Sequence, residues 1–495
     1  MATTIERRRF LSFGVMGTTG VLLSPLFLHS SFAFSESNPA GAKKPPNIVV
    51  IVADDLGWKD VGYHGAEFKT PHIDSLVQDG AALEKFYVCP VCTPTRAGLL
   101  TGRYPLRYGL QRRTITSSDT ERGIPPEEIT LPEMLAQAGY SRRACFGKWH
   151  LGNETPSLEF YPLSQGFTHF YGFTSGGATN YFTRETKSKI QEWRRQFDVN
   201  YDLGYSTHLI GNEAVRFVED SSNDAPFFLY VAFNAIHTPN QYPEHYIKRF
   251  ESISDTKRRE KAAMVTAMDD NIGHILQTLE RKGIAENTIV WFMSDNGGAI
   301  GAGSVNEPLR GEKHYVFEGG IRVPAVVRWS GKIPAGKKID TPVSYLDMYP
   351  TLQSIVGVDA RQDTSFDGEN VLDIIKGNIT DRDWEFHSYF QFWLPGNWQK
   401  TGEDKRIFTH EWNAVNTHEW KMVRLGPKVV DVDNLYDDAE LSLFKIQQDP
   451  YEKNNVAEQH PDIVRDFLEK IRKFRSLQPK ELKNVLLDTP KEGGN

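Results

Sequence analysis

Four stretches of this chain are continuously apolar, and each stops at ionisable or polar side chains. "NIVVIVADDLGW" (47–58) stops at Asp54 and Asp55, and "NTIVWFMSDNGG" (287–298) at Asp295, Asn296 and two glycines. "APFFLYVAFNAIHTP" (225–239) runs up to His237, and the shorter "RRACFGKWHLG" (142–152) leads to Lys148 and His150. A strand with one wet face alternates apolar and polar residues, whereas a strand covered on both faces is apolar throughout. The runs therefore predict a mostly parallel sheet buried between helical layers, where ligands bind at the carboxyl ends of the strands. One such ending could be a solvated strand-to-loop boundary. Four together are hard to dismiss.

Helical signals lie between the runs. "TPHIDSLVQDGA" (70–81) opens on Thr-Pro and closes near Gly80, "TLPEMLAQAGY" (130–140) has a Thr cap and a Gly stop, and 255–283 is long and amphipathic. This alternation predicts a large α/β domain over 47–380. After about residue 380 the texture changes. Five of the ten tryptophans fall between Trp384 and Trp420, among short runs that read as antiparallel strands, and 460–477 reads as a helix. Residues 381–495 are expected to form a smaller C-terminal α+β subdomain.

The first residues are a separate object. Basic residues precede an apolar stretch from Val15 to Leu28, and a small-residue ending follows at Ala33, so 1–33 reads as a signal peptide. Arg7, Arg8, Phe10 and Leu11 resemble the twin-arginine pattern, which implies the twin-arginine export machinery as a partner and a periplasmic or secreted destination. Residues 34–46 form a linker. No later apolar run approaches the ~20 residues of a membrane span. The net charge of -7, with no long block of one sign, argues against a nucleic-acid partner.

Asp54, Asp55, Asp295 and Asn296 offer only oxygen ligands, a set that selects calcium or magnesium over zinc. Arg96, Lys148 and Lys313, with His150 and His237, make an anion-binding set that suits a phosphate or a sulfate ester. The chain has three cysteines, too few for a disulfide framework. Two of them stand in "CPVCTPTRAGLLTGR" (89–103), at the start of what reads as a helix. A CxxC zinc site needs a second ligand pair, and Cys145 stands alone. A redox pair would leave the metal and anion sets unexplained.

"CTPTRAGLLTGR" resembles the C-x-P-x-R signature of type I sulfatases, whose cysteine is oxidised by a dedicated formylglycine-generating enzyme to Cα-formylglycine. "PNIVVIVADDLGWKDVGYHG", "GKWHLG", "SDNGG", "LRGEKHYVFEGGIRVP" and "LYDDAELSLFKIQQDPYEKNNVA" are also similar to sulfatase segments, in the expected order. The resemblance implies an alkaline-phosphatase-like α/β fold with a smaller antiparallel C-terminal subdomain. It implies that Asp54, Asp55, Asp295 and Asn296 hold one calcium ion, which also contacts the modified Cys92. Arg96 and Lys148 would stabilise the hydrated aldehyde, and His150 would take the proton that starts sulfate elimination. His237 and Lys313 would bind the sulfate, one of them protonating the departing oxygen. Cys89 has no role in the pattern.

Within the family the chain resembles the N-acetylgalactosamine-4-sulfatase (arylsulfatase B) branch, through "LGWKDVGYHG", "RYGLQ" and "IHTPNQYPEHY". This implies a 4-O-sulfated galactose or N-acetylgalactosamine unit of a carrageenan, another algal galactan, or chondroitin or dermatan sulfate. Residues 176–200 and 384–420 depart from that branch. Trp393, Trp398, Trp412 and His410 offer stacking faces for sugar rings or a cement between subdomains, and Arg184, Arg194 and Arg195 read as a solvated helix face ahead of a contact with further sulfates on a polymer. Two alternatives stand beside this reading: a phosphonate or phosphate ester hydrolase of the same fold, and an unmatured protein that binds anionic glycans.

Overall fold

The computed structural model describes residues 44–111, 114–115, 122–153, 158–176, 180–186, 189, 191–358, 365–392, 410–427 and 439–479. The expected signal peptide, nearly all of the linker, Trp393 and Trp398 lie outside the described residues, as does the side chain of His410. Strand Asn47–Ala53 lies inside a ten-stranded sheet, paired in parallel with Thr288–Ser294 on one side and Phe227–Ala232 on the other. Arg142–Lys148 and then His169–Phe173 continue the parallel order, while Ala325–Arg328 closes antiparallel on Thr288–Ser294.

The central strand is apolar from Ile48 to Ala53 because both faces are covered. Ile48, Val50 and Val52 enter one buried cluster with Ala97, Leu99 and Leu100 of helix Cys92–Thr101. Val49, Ile51 and Ala53 enter a second cluster with helices Ser206–Glu219 and Thr256–Arg281. Register then aligns the strand ends. Val52 lies opposite both Ala232 and Met293, and Gly147 lies opposite Ala232. Asp54, Asp295 and Lys148 therefore leave the sheet along one edge.

His237 arrives differently from expectation. Its strand ends at Ala232, and the chain then turns across the end of Asn47–Ala53. Asp54 N donates to Ala235 O at 2.9 Å and Ile236 N to Asp54 O at 2.8 Å. The run reads as strand to its end because the turn itself is buried: Phe233, Ala235 and Ile236 are inaccessible to solvent.

The close approach of two strands just before the site requires Gly147. Its φ is +106°, and a Cβ there would lie 1.9 Å from Ala232 O. Gly147→Ala is expected to destabilise the fold by about 3 kcal/mol or more, since left-handed strain and overpacking add. Thermal denaturation with and without the substitution checks this.

The C-terminal strands Glu385–Phe392, His410–Thr417, Lys421–Pro427 and Glu440–Phe444 form a four-stranded antiparallel sheet. Helix Pro461–Ser476 covers one face through Phe467, Leu468 and Ile471 against Val415, Met422 and Leu443. The opposite face, through Ala414, Val423 and Phe444, packs on Val316 and Phe317. Arg194 and Arg195 lie on a short strand paired between His169–Phe173 and Asp198–Val199 and not on a helix, and Arg184 is buried, its guanidinium donating to Phe182 O and Gly204 O. Arg195 pairs with Glu213 and lies over the Tyr171 ring. The expected solvated helix face is thus replaced by a short strand held by neighbours on both sides.

Candidate active site

Cys92 is the first residue of helix Cys92–Thr101, after Val91 in extended conformation, and the whole helix is buried. The positive end of the helix dipole therefore lies at its side chain. One ligand atom each from Asp54, Asp55, Cys92 and Asp295 falls within 4.8 Å of all the others. Asn296 joins them: its Nδ2 donates to Asp55 Oδ1 at 2.8 Å, while its Oδ1 is buried and has no hydrogen-bond partner. A buried amide oxygen without a partner is costly. A cation beside these carboxylates would satisfy it, so the donor set fits a metal ion.

Three cations face the three carboxylates. Arg96 donates from Nε (2.9 Å) and Nη2 (2.8 Å) to Asp295 Oδ2, and from Nη1 to Lys148 O at 3.0 Å. Lys148 Nζ lies 2.7 Å from Asp54 Oδ2, and Lys313 Nζ 2.7 Å from Asp55 Oδ1. Burial pushes the Asp295 carboxyl up to about 6, with Asp54 adding to it against the pull of Arg96. Burial opposes ionisation of Asp55 as well, but the ammonium groups of Lys313 and Lys148 outweigh it and hold it below the usual carboxylate range. Burial also opposes the charge on Lys313, yet Asp55 more than compensates and the ammonium holds its proton firmly.

The two histidines are neutral and differently presented. His150 Nε2 lies 2.8 Å from Ile115 O, which can only accept, so Nε2 carries the hydrogen. Its Nδ1 is buried without a partner and is left as an acceptor. Burial, with Lys148 and Arg96, pushes its pKa well below the ordinary value. His237 donates from Nδ1 to Thr238 O at 2.7 Å, leaving Nε2 3.8 Å from Asp55 Oδ2, and burial with Lys313 pushes it down to about 3. Burial and Asp295 raise the Cys92 thiol far above its usual range, and its Sγ donates to Asp54 Oδ1 at 3.4 Å. As a thiol it is a poor nucleophile.

All ten residues singled out from the sequence thus surround one end of the sheet. Two further residues escaped that reading. Lys261, from helix Thr256–Arg281, is buried and donates from Nζ to Ile236 O. Tyr181 OH lies 2.6 Å from Asn234 O and 2.7 Å from His237 O. Together they brace the turn that carries His237. Helical phase offered a signal for Lys261, which shares the buried stripe of Val265, Met268 and Ile272. Nothing local marks Tyr181. Among the tryptophans, Trp384 packs against Tyr87 at 5.0 Å, and Trp412 against the part-exposed Tyr315 at 4.4 Å.

A buried metal-compatible carboxylate set beside an anion-binding set, on a parallel sheet with an added antiparallel one, defines an alkaline-phosphatase-like hydrolase of anionic esters. The sulfatase family model matches residues 46–358, and that of the N-sulphoglucosamine sulphohydrolase C-terminal region matches 311–477. Mouse arylsulfatase J is 32% identical over 472 residues, covering 89% of this chain and 77% of that protein. Mouse N-acetylgalactosamine-6-sulfatase is 35% identical over 370 residues, 69% of each. The solved structure of Ps i-CgsB in complex with k-i-k-neocarrahexaose superposes with a TM-score of 0.77 at 31% identity, over 88% of this chain and 94% of that one. The chain belongs to the sulfatase family and is a sulfuric ester hydrolase. Among the described residues no helix is long and apolar enough to cross a membrane.

Proposed function

We propose that this enzyme removes a 4-O-sulfate from galactose or N-acetylgalactosamine units of a sulfated polysaccharide or oligosaccharide, through a formylglycine made from Cys92. The observation that carries the chemistry is the composition of the buried site: oxygen donors with one unsatisfied amide oxygen, and a single thiol among them. Sulfur is a poor ligand for a hard cation. Replacing it by aldehyde-hydrate oxygens makes the set all-oxygen, which supports both the modification and calcium. Asp54, Asp55, Asp295, Asn296 and the modified residue 92 would hold that ion, whose contribution is Lewis-acid polarisation of a sulfate oxygen. The modification would supply two hydroxyls on one carbon, one to act as nucleophile and one to be deprotonated for sulfate release.

The chain's own groups are prepared for the remaining work. Arg96, locked on Asp295, presents a fixed positive charge at the helix N-terminus. Lys148 adds a second cation that can move from Asp54 to an incoming oxyanion. His150, neutral with Nδ1 as acceptor, is suited to receive the proton at that atom. Lys313 holds a proton beside Asp55 and is suited to give one to the departing sugar oxygen, while His237 would hold a sulfate oxygen once the incoming anion brings a proton onto its Nε2. A protonated donor matters because a sugar alkoxide is a poor leaving group.

The saccharide assignment draws on the 4-sulfatase-like segments of the sequence and on the neocarrahexaose held by Ps i-CgsB. The N-acetylgalactosamine-6-sulfatase relative makes the sulfate position the point to test. A panel of 4-O-, 6-O- and 2-O-sulfated galactosyl saccharides, read by sulfate release, is expected to favour the 4-O esters at least tenfold in kcat/KM. Preference for 6-O or 2-O esters would overturn the position. Comparing a sulfate with a phosphate ester of one phenol separates this reading from a phosphonate or phosphate ester hydrolase, which would favour the phosphate. Binding of sulfated glycans without turnover, by protein from its native kind of host whose Cys92 remains a thiol, would favour an unmatured glycan-binding protein. Residues 1–33 would direct twin-arginine export to the periplasm or beyond, after maturation by a formylglycine-generating enzyme.

A further inference from the structure

The loop that carries Lys313 closes on itself, with Gly319 N donating to Arg310 O at 2.6 Å. Its tip is tied to the site by two backbone bonds. Lys313 N donates to Gly298 O at 3.2 Å, and His314 N to Pro90 O at 2.8 Å, two residues before Cys92. Its base is held from far away in sequence. Glu452 Oε2 accepts from Glu318 N at 2.8 Å, and Glu452 O accepts from Arg310 Nη1 at 3.1 Å, so one residue pins both limbs.

Behind it stands a buried charge cluster. Lys421 Nζ, on a strand of the C-terminal sheet, lies 2.9 Å from Glu318 Oε1 and 2.8 Å from Glu452 Oε1. Glu318 also accepts from Tyr87 OH at 3.0 Å and from Asn416 Nδ2 at 3.2 Å. Lys421, Glu318 and Glu452 are each at most 1% exposed. Glu452 sits at φ +56°, in a left-handed conformation that a side-chain-bearing residue rarely adopts. Buried ion clusters are weak stabilisers, since well-packed apolar residues of similar volume often do as well or better. Their better-attested use is to enforce one arrangement over others.

We infer that Glu452 and Lys421 are positioning residues for Lys313, so that the C-terminal sheet is part of the machinery that aims the sulfate-binding ammonium. This rests on Lys313 binding the sulfate ester, as argued above. The two cations act at different places: Lys313 at the ester, Lys421 only through the loop base.

The test is a double-mutant cycle on the full-length, matured enzyme. It uses Glu452→Ala in the wild-type and Lys313→Ala backgrounds, read by kcat/KM on 4-nitrophenyl sulfate and by inhibition with inorganic sulfate. In the wild-type background, Glu452→Ala is expected to lower kcat/KM roughly 10- to 100-fold, as expected for an ångström-scale misplacement, and to weaken inorganic sulfate about tenfold. In the Lys313→Ala background the same substitution is expected to change both by less than about twofold, because the group it positions is gone. Equal losses in the two backgrounds would reduce Glu452 to a structural role and overturn the inference. No loss in the wild-type background would do the same. If Lys313→Ala alone left both readouts at wild-type values, the sulfate-binding role of Lys313 would fail, and this inference with it. Should Glu452→Ala not fold, Arg310→Ala removes the other pin from an exposed position and is expected to show the same non-additivity at smaller amplitude.

Discussion

Cys92→Ala is expected to lower turnover of any sulfate ester by roughly 10^4-fold or more, the scale seen when a covalent catalyst loses its nucleophile. The fold should tolerate the change. Cys92 is buried, but its sulfur makes one 3.4 Å contact to Asp54, and truncating so small a group costs on the order of 1 kcal/mol. Activity and stability are thus expected to separate, with thermal unfolding nearly unchanged and sulfate release abolished. Mass spectrometry of the peptide spanning Cys92 supplies the companion measurement. An aldehyde trapped by a carbonyl reagent accounts for the activity, whereas an alkylatable thiol on fully active enzyme would refute the formylglycine mechanism. Residual activity of Cys92→Ala within tenfold of wild type would refute it too.

Chelation of divalent cations carries the second large effect. Activity is expected to fall at least 100-fold, and to return with calcium and not with zinc, because the donors are hard oxygens. Stability should fall as well, but not collapse. A ligand bound only by the folded state, at 100 to 1,000 times its Kd, contributes about 2.7 to 4.1 kcal/mol. The structure shows why the loss stops there. Lys148 on Asp54, Lys313 on Asp55 and Arg96 on Asp295 neutralise the carboxylates from within, so removing the ion does not leave three bare charges in a dry site. In the proposed mechanism these lysines would have two duties, one toward the aspartates and one toward the sulfate, and a bound ion would free them for the second. Asn296→Ala tests the same point at one atom, with weaker calcium affinity and a smaller calcium-dependent rise in Tm as the expected results. Full activity and unchanged Tm after exhaustive chelation would exclude the metal.

Much of this site was legible in one dimension because its residues sit where local rules change. A strand covered on both faces is apolar along its buried length, so the charge that ends the apolar run marks the end of the sheet, and Asp54, Lys148 and Asp295 all announce themselves this way. Cys92 opens a helix whose end at Gly102 is equally local, with φ at +68°. The antiparallel texture after residue 380 reflects short strands paired with their neighbours in sequence, and it too could be read without a partner in view.

Other features belong to contacts between residues hundreds of positions apart, for which no local periodicity exists. His237 reads as the end of a strand, yet it rides a buried turn held by Tyr181 and Lys261. Asn296 reads as a ligand, but only the folded site shows that its Nδ2 is used by Asp55 and its Oδ1 is left without a partner. Nothing in the sequence singles out Glu452 and Lys421, and burial against Glu318 and Arg310 makes them the brace of the Lys313 loop. Strand, cap and ligand chemistry were set by residue type and spacing, since backbone sterics and desolvation act on neighbours along the chain. Which charges meet, which oxygen stays unpaired and which loop is held were decided by long-range packing, because a side chain's partner is determined by where the fold brings it and not by what stands beside it in sequence.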